Sequence, residues 1–258
     1  MGRRNVPVDD EAGWVFNRVA DVYRCRPSYP AALVERLVLL GGGPGAKVVD
    51  LGAGTGHLAL PLARAGLWVT AVEPARRMLD VLAANTDSSL AARCLPVHAA
   101  AESTGLASRN FDLALLADAL HWVDPNRAGV EIARLVAPGG RLAVVTIELA
   151  STPFIDEVLA AARAANPRAF PKQRVPGARC DHLFAAANTH RRARELFAER
   201  TLLPVATIAG FLSSLSFVGP ALAPDALATL VAHTHAAADR HGGALWARRF
   251  VLEHATVD

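Results

Sequence analysis

The sequence predicts an α/β protein in which helices cover both faces of a mostly parallel, doubly wound sheet. Apolar stretches of strand length alternate with helix-compatible stretches between residues 43 and 150. The apolar stretch 48–51 leads into a turn with glycine at every second position, at Gly52, Gly54 and Gly56. Because glycines let the backbone turn sharply and pass close to a ligand, we expect a binding site at the carboxyl end of this strand.

The elements before residue 150 follow from apolar periodicity and from turn residues. Proline marks the turn at 27–30, Asp124 followed by Pro125 marks a helix start, and residues 138–140 end that helix. The predicted helices are 10–24, 30–40, 57–65, 75–84 and 125–136, and the predicted strands are 48–51, 68–72, 93–98, 111–117 and 141–148.

Residues 151–200 interrupt this alternation. The segment is rich in alanine and arginine and contains three prolines, which predicts a helical insertion after the fifth strand. The rest of the chain is predicted to form a strand at 200–204, helices at 207–217 and 224–240, and a last strand at 244–254.

The composition limits the class of protein. With 258 residues, of which 52% are hydrophobic, the chain is long enough for one large α/β domain and too apolar to be disordered. No apolar stretch approaches the roughly 20 residues of a membrane span, and the charged start lacks the apolar core of a signal peptide, so we expect a cytoplasmic protein. The three cysteines, Cys25, Cys94 and Cys180, are too widely spaced to indicate a disulfide framework or a zinc site.

The charge pattern is less informative. The formal net charge is +3, and the basic residues are almost all arginine. Between residues 163 and 200 basic side chains greatly outnumber acidic ones. This surface would suit an anionic substrate or RNA, and a solvated helix face is the simpler alternative.

An acid after the second strand indicates a nucleoside ligand. Glu73 lies twenty-one residues beyond Gly52, and an acid about 20 residues past a glycine turn can accept hydrogen bonds from ribose hydroxyls. The dinucleotide motif G-x-G-x-x-G would need a third glycine at position 57, where this chain has His57. The turn and the preceding Asp50 therefore fit an amino-acid-bearing nucleoside better than a pyrophosphate, and NAD binding by an oxidoreductase is the alternative.

These motifs resemble a known family. VVDLGAGTG at 48–56 and AVEP at 71–74 resemble the first two motifs of the class I methyltransferases that use S-adenosylmethionine. The likeness is to small-molecule enzymes of the methyltransferase type 11 and trans-aconitate methyltransferase kind, over roughly residues 16–255. It implies a single domain with a Rossmann-like, seven-stranded sheet and an antiparallel last strand. Its parts are a helical lid (1–42), a cofactor-binding core (43–150), a substrate-pocket insertion (151–200) and the C-terminal part of the sheet (201–258).

The resemblance also implies a set of residues that bind S-adenosylmethionine and its product S-adenosylhomocysteine. The segment 23–30 resembles a signature of the same group and suggests that its tyrosines and Arg26 close over the methionine end. Many relatives have Asp where this chain has Ala100, so the adenine would be held by backbone and apolar groups. Met78 would pack on the adenine ring or fill the core. The expected cofactor-binding residues are Tyr23, Arg26, Tyr29, Asp50, Gly52, Ala53, Gly54, Gly56, Glu73, Pro74, Met78, Ala101, Glu102, Asp118 and Ala119.

The end of the fourth strand is expected to hold the acceptor. Residues 117–122 resemble an Ala-Gln-Ala-x-His-Trp stretch of small-molecule methyltransferases, with Asp118 in place of the glutamine. We expect His121 and Asp118 to be catalytic, with His121 as the base for a hydroxyl or amine, although His121 could instead be structural. His121, Trp122 and Arg26 are the expected substrate contacts, and Arg26 could hold a carboxylate acceptor, which needs no base.

Together these features predict methyl transfer from S-adenosylmethionine to oxygen or nitrogen of a small biosynthetic substrate, without a metal. Two alternatives stay open: carboxylate O-methylation of the trans-aconitate type, and a cofactor-binding protein with another role, such as cyclisation. We expect no nucleic acid as partner, because lysine is nearly absent and no RNA-binding module is visible. We expect no membrane as partner, because no apolar stretch is long enough to span one. A monomer or a homodimer is expected.

Overall fold

The computed structural model describes residues 15–167 and 176–258. Seven strands form one sheet: β1 (Lys47–Leu51), β2 (Trp68–Glu73), β3 (Cys94–His98), β4 (Phe111–Ala117), β5 (Val136–Leu149), β6 (Thr189–Leu203) and β7 (Ala244–Val257). Their order across the sheet is β3-β2-β1-β4-β5-β7-β6. Strands β1 to β5 run parallel, and β7 is antiparallel to both of its neighbours. The predicted fold class is confirmed.

Nine α-helices occur in the described part of the chain. They are α1 (Val15–Tyr23), α2 (Ala31–Gly41), α3 (Ala59–Arg64), α4 (Arg76–Asn85), α5 (Pro125–Leu135), α6 (Pro153–Ala165), α7 (Pro176–Ala186), α8 (Val205–Ser214) and α9 (Pro224–Arg240). The predicted start of α5 is confirmed, since the Asp124 side chain accepts hydrogen bonds from the backbone amides of Asn126 and Arg127. Within residues 15–167 and 176–258, no helix combines the length and apolar character that a membrane crossing requires.

Alternate residues of the central strands enter two separate cores. On one face, Val48 and Leu115 pack with α2 and α3. On the other face, Val49 and Leu116 pack with α5 and α7. Because successive strand residues point to opposite faces, a strand covered on both sides is apolar throughout, which explains the continuous apolar stretches in the sequence.

The sheet places the strand ends that carry the motifs side by side. β1 lies between β2 and β4, with Asp50 in register with Ala71 on one side and Leu115 on the other. The order of the parallel strands reverses at this point, and ligands of open α/β sheets bind in the crevice outside the carboxyl ends at such a reversal. The glycine turn, Glu73 and Asp118 therefore meet at one edge.

The N-terminal lid is smaller than predicted. We expected both N-terminal helices to cover the glycine turn, but α2 packs against the sheet through Leu33 and Leu37. The lid, as used below, is α1 together with residues 24–30. α1 packs on α4 through Val19 and Met78, which holds the lid over the carboxyl edge. Residues 10–14 of the predicted first helix lie outside the described residues.

The insertion after β5 is also shorter than predicted. Its helices, outside residues 168–175, which lie beyond the described part of the chain, are α6 and α7. Residues 189–199, which we expected to be helical, belong to β6. Arg, Ala and Glu favour a helix in isolation, but this segment pairs with β7 over most of its length, for example Glu195 with Leu252. The alternation of burial along residues 195–203 is that of a strand. Long-range pairing has therefore outweighed local propensity.

Candidate active site

A cavity of about 1200 Å³ opens at the carboxyl edge of the sheet, under the lid. Every predicted site residue except Gly56 lines it: Tyr23, Arg26, Tyr29, Asp50, Gly52, Ala53, Gly54, Glu73, Pro74, Met78, Ala101, Glu102, Asp118, Ala119, His121 and Trp122. Gly56 has a φ of +86°, and a Cβ there would lie 3.1 Å from the Cγ atoms of Leu60 and Leu82. It therefore shapes the turn from outside the cavity.

The glycine turn and the acid of β2 are joined by hydrogen bonds. One oxygen of Glu73 accepts from the backbone amide of Gly54 and the other from that of Ala75, both over 2.9 Å. Each carboxylate oxygen has a second acceptor position, so two further donors can bind on the cavity side. This arrangement suits the pair of ribose hydroxyls that the sequence predicts.

Gly52 allows a close approach between the ends of β1 and β4. Its φ is +81°, and a Cβ at this position would lie 2.7 Å from the Cβ of Ala119. Any larger residue would therefore push the two strand ends apart, in addition to adopting a left-handed conformation that glycine alone adopts without cost. At Gly54 an added Cβ would point toward Tyr23 of the lid, 3.6 Å from its Cε1.

Three carboxyl groups at this edge have raised pKa values. Burial raises the pKa of Asp50 to about 7, and the nearby charge of Glu73 adds to the effect. Burial raises the pKa of Glu73 to about 7 against the lowering effect of its two backbone hydrogen bonds. Burial also raises the pKa of Asp118 to about 6, against the lowering effect of Arg26. Such shifts are typical of functional sites because a carboxyl group titrating near neutrality can take up and release protons.

Asp118 faces the lid arginine across the cavity. Its backbone has a φ of +50°, and its amide donates to the carbonyl of Val145 over 2.8 Å. The Asp118 carboxylate lies 3.6 Å from Nη1 of Arg26, with exposed side-chain fractions of 33% and 18%. The guanidinium lies 4.0 Å from the ring centroid of Tyr23, and its Nε donates to Oγ of Ser214 over 3.1 Å. These contacts hold one charged pair inside the cavity.

The two lid tyrosines are buried and stay protonated at neutral pH. Burial raises the pKa of Tyr23 to about 12, and it raises the pKa of Tyr29 well above its ordinary value. The Tyr29 ring lies 5.8 Å from the ring of Phe250 on β7, centroid to centroid. Both hydroxyls can therefore donate hydrogen bonds to a ligand at neutral pH.

His121 and Trp122 lie at the mouth of the cavity. Both side chains are exposed, and they follow β4 in a turn in which the Trp122 amide donates to the carbonyl of Ala119. The Trp122 ring meets the ring of Phe16 edge to face, at 4.9 Å between centroids, and His121 lies 5.3 Å from Trp122. The predicted acceptor residues are thus brought together, with Asp118 deeper in the cavity than His121.

The residues expected near the adenine also reach the cavity, but they have structural contacts as well. Met78 is 1% exposed and packs in the core between α1 and α4. Glu102 accepts a hydrogen bond from the backbone amide of Asp124, which fixes the start of α5. Ala100 lines the cavity and offers no side-chain acceptor.

Several cavity residues were missed by the sequence analysis. Arg248, on β7, is buried, but the sequence alone does not distinguish it from the adjacent Arg249, which is exposed. His57 was considered only because it stands where the dinucleotide motif needs a glycine, and it bridges Oγ1 of Thr55 and the carbonyl of Arg26. The apolar wall was missed because its members come from distant elements: Phe16, Phe211, Leu215 and Phe217.

Comparison with known proteins identifies the domain. Residues 49–144 match the model of a family described as a methyltransferase domain. An uncharacterized methyltransferase of Mycobacterium tuberculosis is 44% identical over 124 residues, which make up 47% of this chain and 47% of that protein. A demethylmenaquinone methyltransferase of a Mycobacterium species is 37% identical over 113 residues, 43% of this chain and 45% of that protein. The match thus spans about half the length of these curated relatives.

Solved structures share the fold over most of the chain. A protein of Anaeromyxobacter dehalogenans described as a type II methyltransferase has a TM-score of 0.62 and 24% identity, covering 90% of this chain and 97% of its own. A Haemonchus contortus phosphoethanolamine N-methyltransferase, solved with S-adenosylhomocysteine, has a TM-score of 0.54 and 15% identity, covering 96% of this chain and 57% of its own. The family match and the curated relatives identify a methyltransferase domain at residues 49–144, and the solved structures share its fold over most of the chain.

Proposed function

We propose that the protein transfers the methyl group of S-adenosylmethionine to a hydroxyl or amine of a small, largely apolar acceptor. The observation that carries this proposal is that two carboxylates with different partners line the same cavity. The Glu73 carboxylate, bonded to the glycine turn, and the Asp118 carboxylate, paired with Arg26, both line it. The first suits the ribose of the cofactor and the second suits the reacting group of the acceptor.

The described residues fit S-adenosylmethionine better than a dinucleotide. Glu73 keeps two acceptor positions for ribose hydroxyls, and the 1200 Å³ cavity exceeds the usual size of a single-ligand site. α3 has six residues, and His57 rather than glycine precedes it, so the helix offers little of the open N-terminus that a pyrophosphate needs. S-adenosylmethionine, when bound, supplies an electrophilic methyl group on a sulfonium.

Aromatic side chains from separate elements support an apolar acceptor. Phe16 on α1, Trp122 after β4, Phe211 on α8 and Phe217 all line the cavity. Pockets for small molecules are mostly apolar with a few polar groups that fix orientation, and Arg26 and Asp118 supply such groups here. Curated relatives include proteins named demethylmenaquinone methyltransferase and one named ubiquinone biosynthesis O-methyltransferase. Hydroxylated rings related to quinones are therefore the first acceptors to test.

Asp118 is the base in this proposal. With a pKa of about 6, it is ionised at neutral pH and still basic enough to take a proton from a hydroxyl or an amine. Its position under the lid lets the apolar wall exclude water while the acceptor is aligned. A carboxylate acceptor fits less well, because Arg26 is already engaged by Asp118 and Ser214.

A small molecule is also a better partner than a nucleic acid. The basic segment that suggested RNA contributes Arg179, whose guanidinium donates to the carbonyls of Leu120 and Val123. It also contributes Arg192, which pairs with Asp181 and Glu253. These two charges bind groups of the protein itself and stabilise the fold.

The test is a transfer assay with a panel of acceptors of matched size: phenols and hydroquinones, aromatic amines, and aromatic carboxylic acids. Formation of S-adenosylhomocysteine and the mass of the product would be followed together. We expect methylated phenols or amines and no methyl ester, and little product from Asp118→Asn. Methyl esters as the main product would replace this acceptor class by carboxylates, and a lack of S-adenosylmethionine binding would refute the proposal.

A further inference from the structure

Three successive carbonyl groups of the lid are held by side chains from distant parts of the chain. The Arg26 carbonyl lies 3.1 Å from Nε2 of His57, which belongs to the glycine turn. The carbonyls of Pro27 and Ser28 accept from Nη1 and Nη2 of Arg248 over 3.0 and 2.6 Å. We call these three bonds the carbonyl clamp. It joins the lid to β1 on one side and to β7 on the other.

Arg248 is itself fixed in place. Its exposed fraction is 5%, Glu199 accepts from its Nε over 3.1 Å and also pairs with its Nη2, and its guanidinium lies 4.8 Å from the ring centroid of Phe250. A buried arginine needs such partners because an unpaired charge would be costly. The planar fork presents two donors toward the lid, which a lysine could not do in the same geometry.

His57 is oriented in the same way. A carbonyl only accepts hydrogen bonds, so Nε2 must carry the proton, and Nδ1 then accepts from the hydroxyl of Thr55, 3.0 Å away. Burial lowers the pKa of His57, which keeps this neutral tautomer at neutral pH. The glycine turn thus fixes the ring that fixes the lid.

The clamped segment carries the side chain that faces the proposed base. Arg26 places its guanidinium beside the Asp118 carboxylate and over the Tyr23 ring. The carbonyl of Arg26 is held by His57, and the carbonyls of the next two residues are held by Arg248. The backbone position of residues 26–28 therefore decides where the guanidinium lies. No polar atom of Arg248 or His57 needs to touch a ligand for this effect.

We propose that Arg248 and His57 are positioning residues that hold the lid closed through the carbonyl clamp and thereby place Arg26 against Asp118. The proposal rests on the proposed function only for the role of Asp118 in the reaction. When the clamp is broken, residues 24–30 move away from the strand ends, and Arg26 leaves Asp118. The last strand of the sheet thus controls a pair of residues in the active site.

The test uses Arg248→Met and the matched variant Arg249→Met in the unliganded full chain. Arg249 is the next residue on β7, is exposed and pairs with Glu148 over 3.1 Å on the protein surface. Hydrogen exchange of the backbone amides at positions 24–26, 28 and 29 reports lid opening, and carbon NMR of the Asp118 carboxyl reports its titration. Arg248→Lys is the conservative variant.

We expect Arg248→Met to speed exchange in this segment by about tenfold, because two charge-assisted hydrogen bonds are lost. We also expect the pKa of Asp118 to rise, because Arg26 holds it down. For Arg248→Lys we expect an exchange rate and an Asp118 pKa between those of the wild-type protein and those of Arg248→Met. Arg249→Met is expected to match the wild-type protein in both. Unchanged exchange and an unchanged Asp118 pKa in Arg248→Met would overturn the proposal.

A coupling measurement separates positioning from general destabilisation. If Arg248 acts through Arg26, then Arg248→Met adds nothing to the Asp118 pKa in a chain that already carries Arg26→Met. A further rise in the double variant would refute that route. His57→Phe removes the other half of the clamp and serves where Arg248→Met does not fold; wild-type exchange in it would count equally against the proposal. None of these measurements needs a cofactor, so failure of the proposed function would leave their outcome readable.

Discussion

The carboxylate of Glu73 accepts a hydrogen bond from the backbone amide of Gly54 over 2.9 Å. The sequence showed the acid and the glycine turn as two separate signals, and this bond makes them one unit. The same carboxylate accepts from Ala75, at the start of α4. A ligand bound at Glu73 therefore contacts a group that is already held from two sides, which lowers the cost of ordering it.

Replacing Glu73 by alanine should weaken the binding of S-adenosylhomocysteine. Two charge-assisted hydrogen bonds to ribose would be lost, on the order of 2 to 3 kcal/mol, or about 30- to 150-fold in affinity. Isothermal calorimetry measures this directly. Glu148→Ala removes a partly exposed carboxylate of β5, outside the residues that line the cavity, and should leave affinity unchanged. Equal affinity in Glu73→Ala and the wild-type protein would remove Glu73 from the ribose role.

Gly52→Ala should impair both folding and binding. The variant combines a φ of +81° with a Cβ contact of 2.7 Å to Ala119, so strain of roughly 1 kcal/mol is joined by an overpacking cost of about 1 to 3 kcal/mol. Gly105→Ala is the matched control, since its φ is +70° and nothing lies within 4 Å of the added Cβ. Urea unfolding of the two variants separates the cost of backbone strain from the cost of overpacking. Equal losses of stability would show that the contact with Ala119 is unimportant.

The pH profile of turnover should identify the base. If Asp118 takes the proton, kcat/KM falls as the pH drops below about 6, because the carboxylate must be ionised to accept it. Asp118→Asn should lower kcat by about 10²- to 10⁴-fold and abolish this acid limb. His121→Ala should keep the limb. The reverse pattern, with the limb lost only in His121→Ala, would assign the base to His121.

Asp50 should make the protein less stable as the pH rises. Its pKa is raised from 3.8 to about 7, so between these values the folded state holds a proton that the unfolded state has released. The free energy of unfolding therefore falls as the pH rises through this window, by about 2 to 3 kcal/mol between pH 5 and pH 8 for this group. Urea unfolding of the wild-type protein and of Asp50→Asn at both pH values isolates the contribution of Asp50 to this pH dependence. An equal pH dependence in both proteins would contradict it.

The sequence was most informative where one local rule decided the structure. The glycine turn, Glu73 at the end of β2 and Asp118 after β4 could be placed because parallel strands bring their carboxyl ends to one edge. The start of α5 was predicted because a carboxylate before a proline caps a helix.

The missed features depend on contacts between distant segments. The composition of β6 predicts a helix up to residue 199, and only its pairing with β7 makes it a strand. Arg248 and the carbonyls of Pro27 and Ser28 are more than two hundred residues apart, so no local pattern could join them. The apolar wall was missed for the same reason, since Phe16 and Phe211 meet only in the folded chain.

The central claim, that this edge of the sheet binds S-adenosylmethionine, is tested most directly by calorimetry of ligand-free protein with S-adenosylmethionine, S-adenosylhomocysteine and NAD. The structure predicts that the first two bind, that NAD does not, and that Glu73→Ala weakens both. Binding of NAD, or of none of the three, would contradict the proposed cofactor and with it the assignment of Glu73 and the glycine turn.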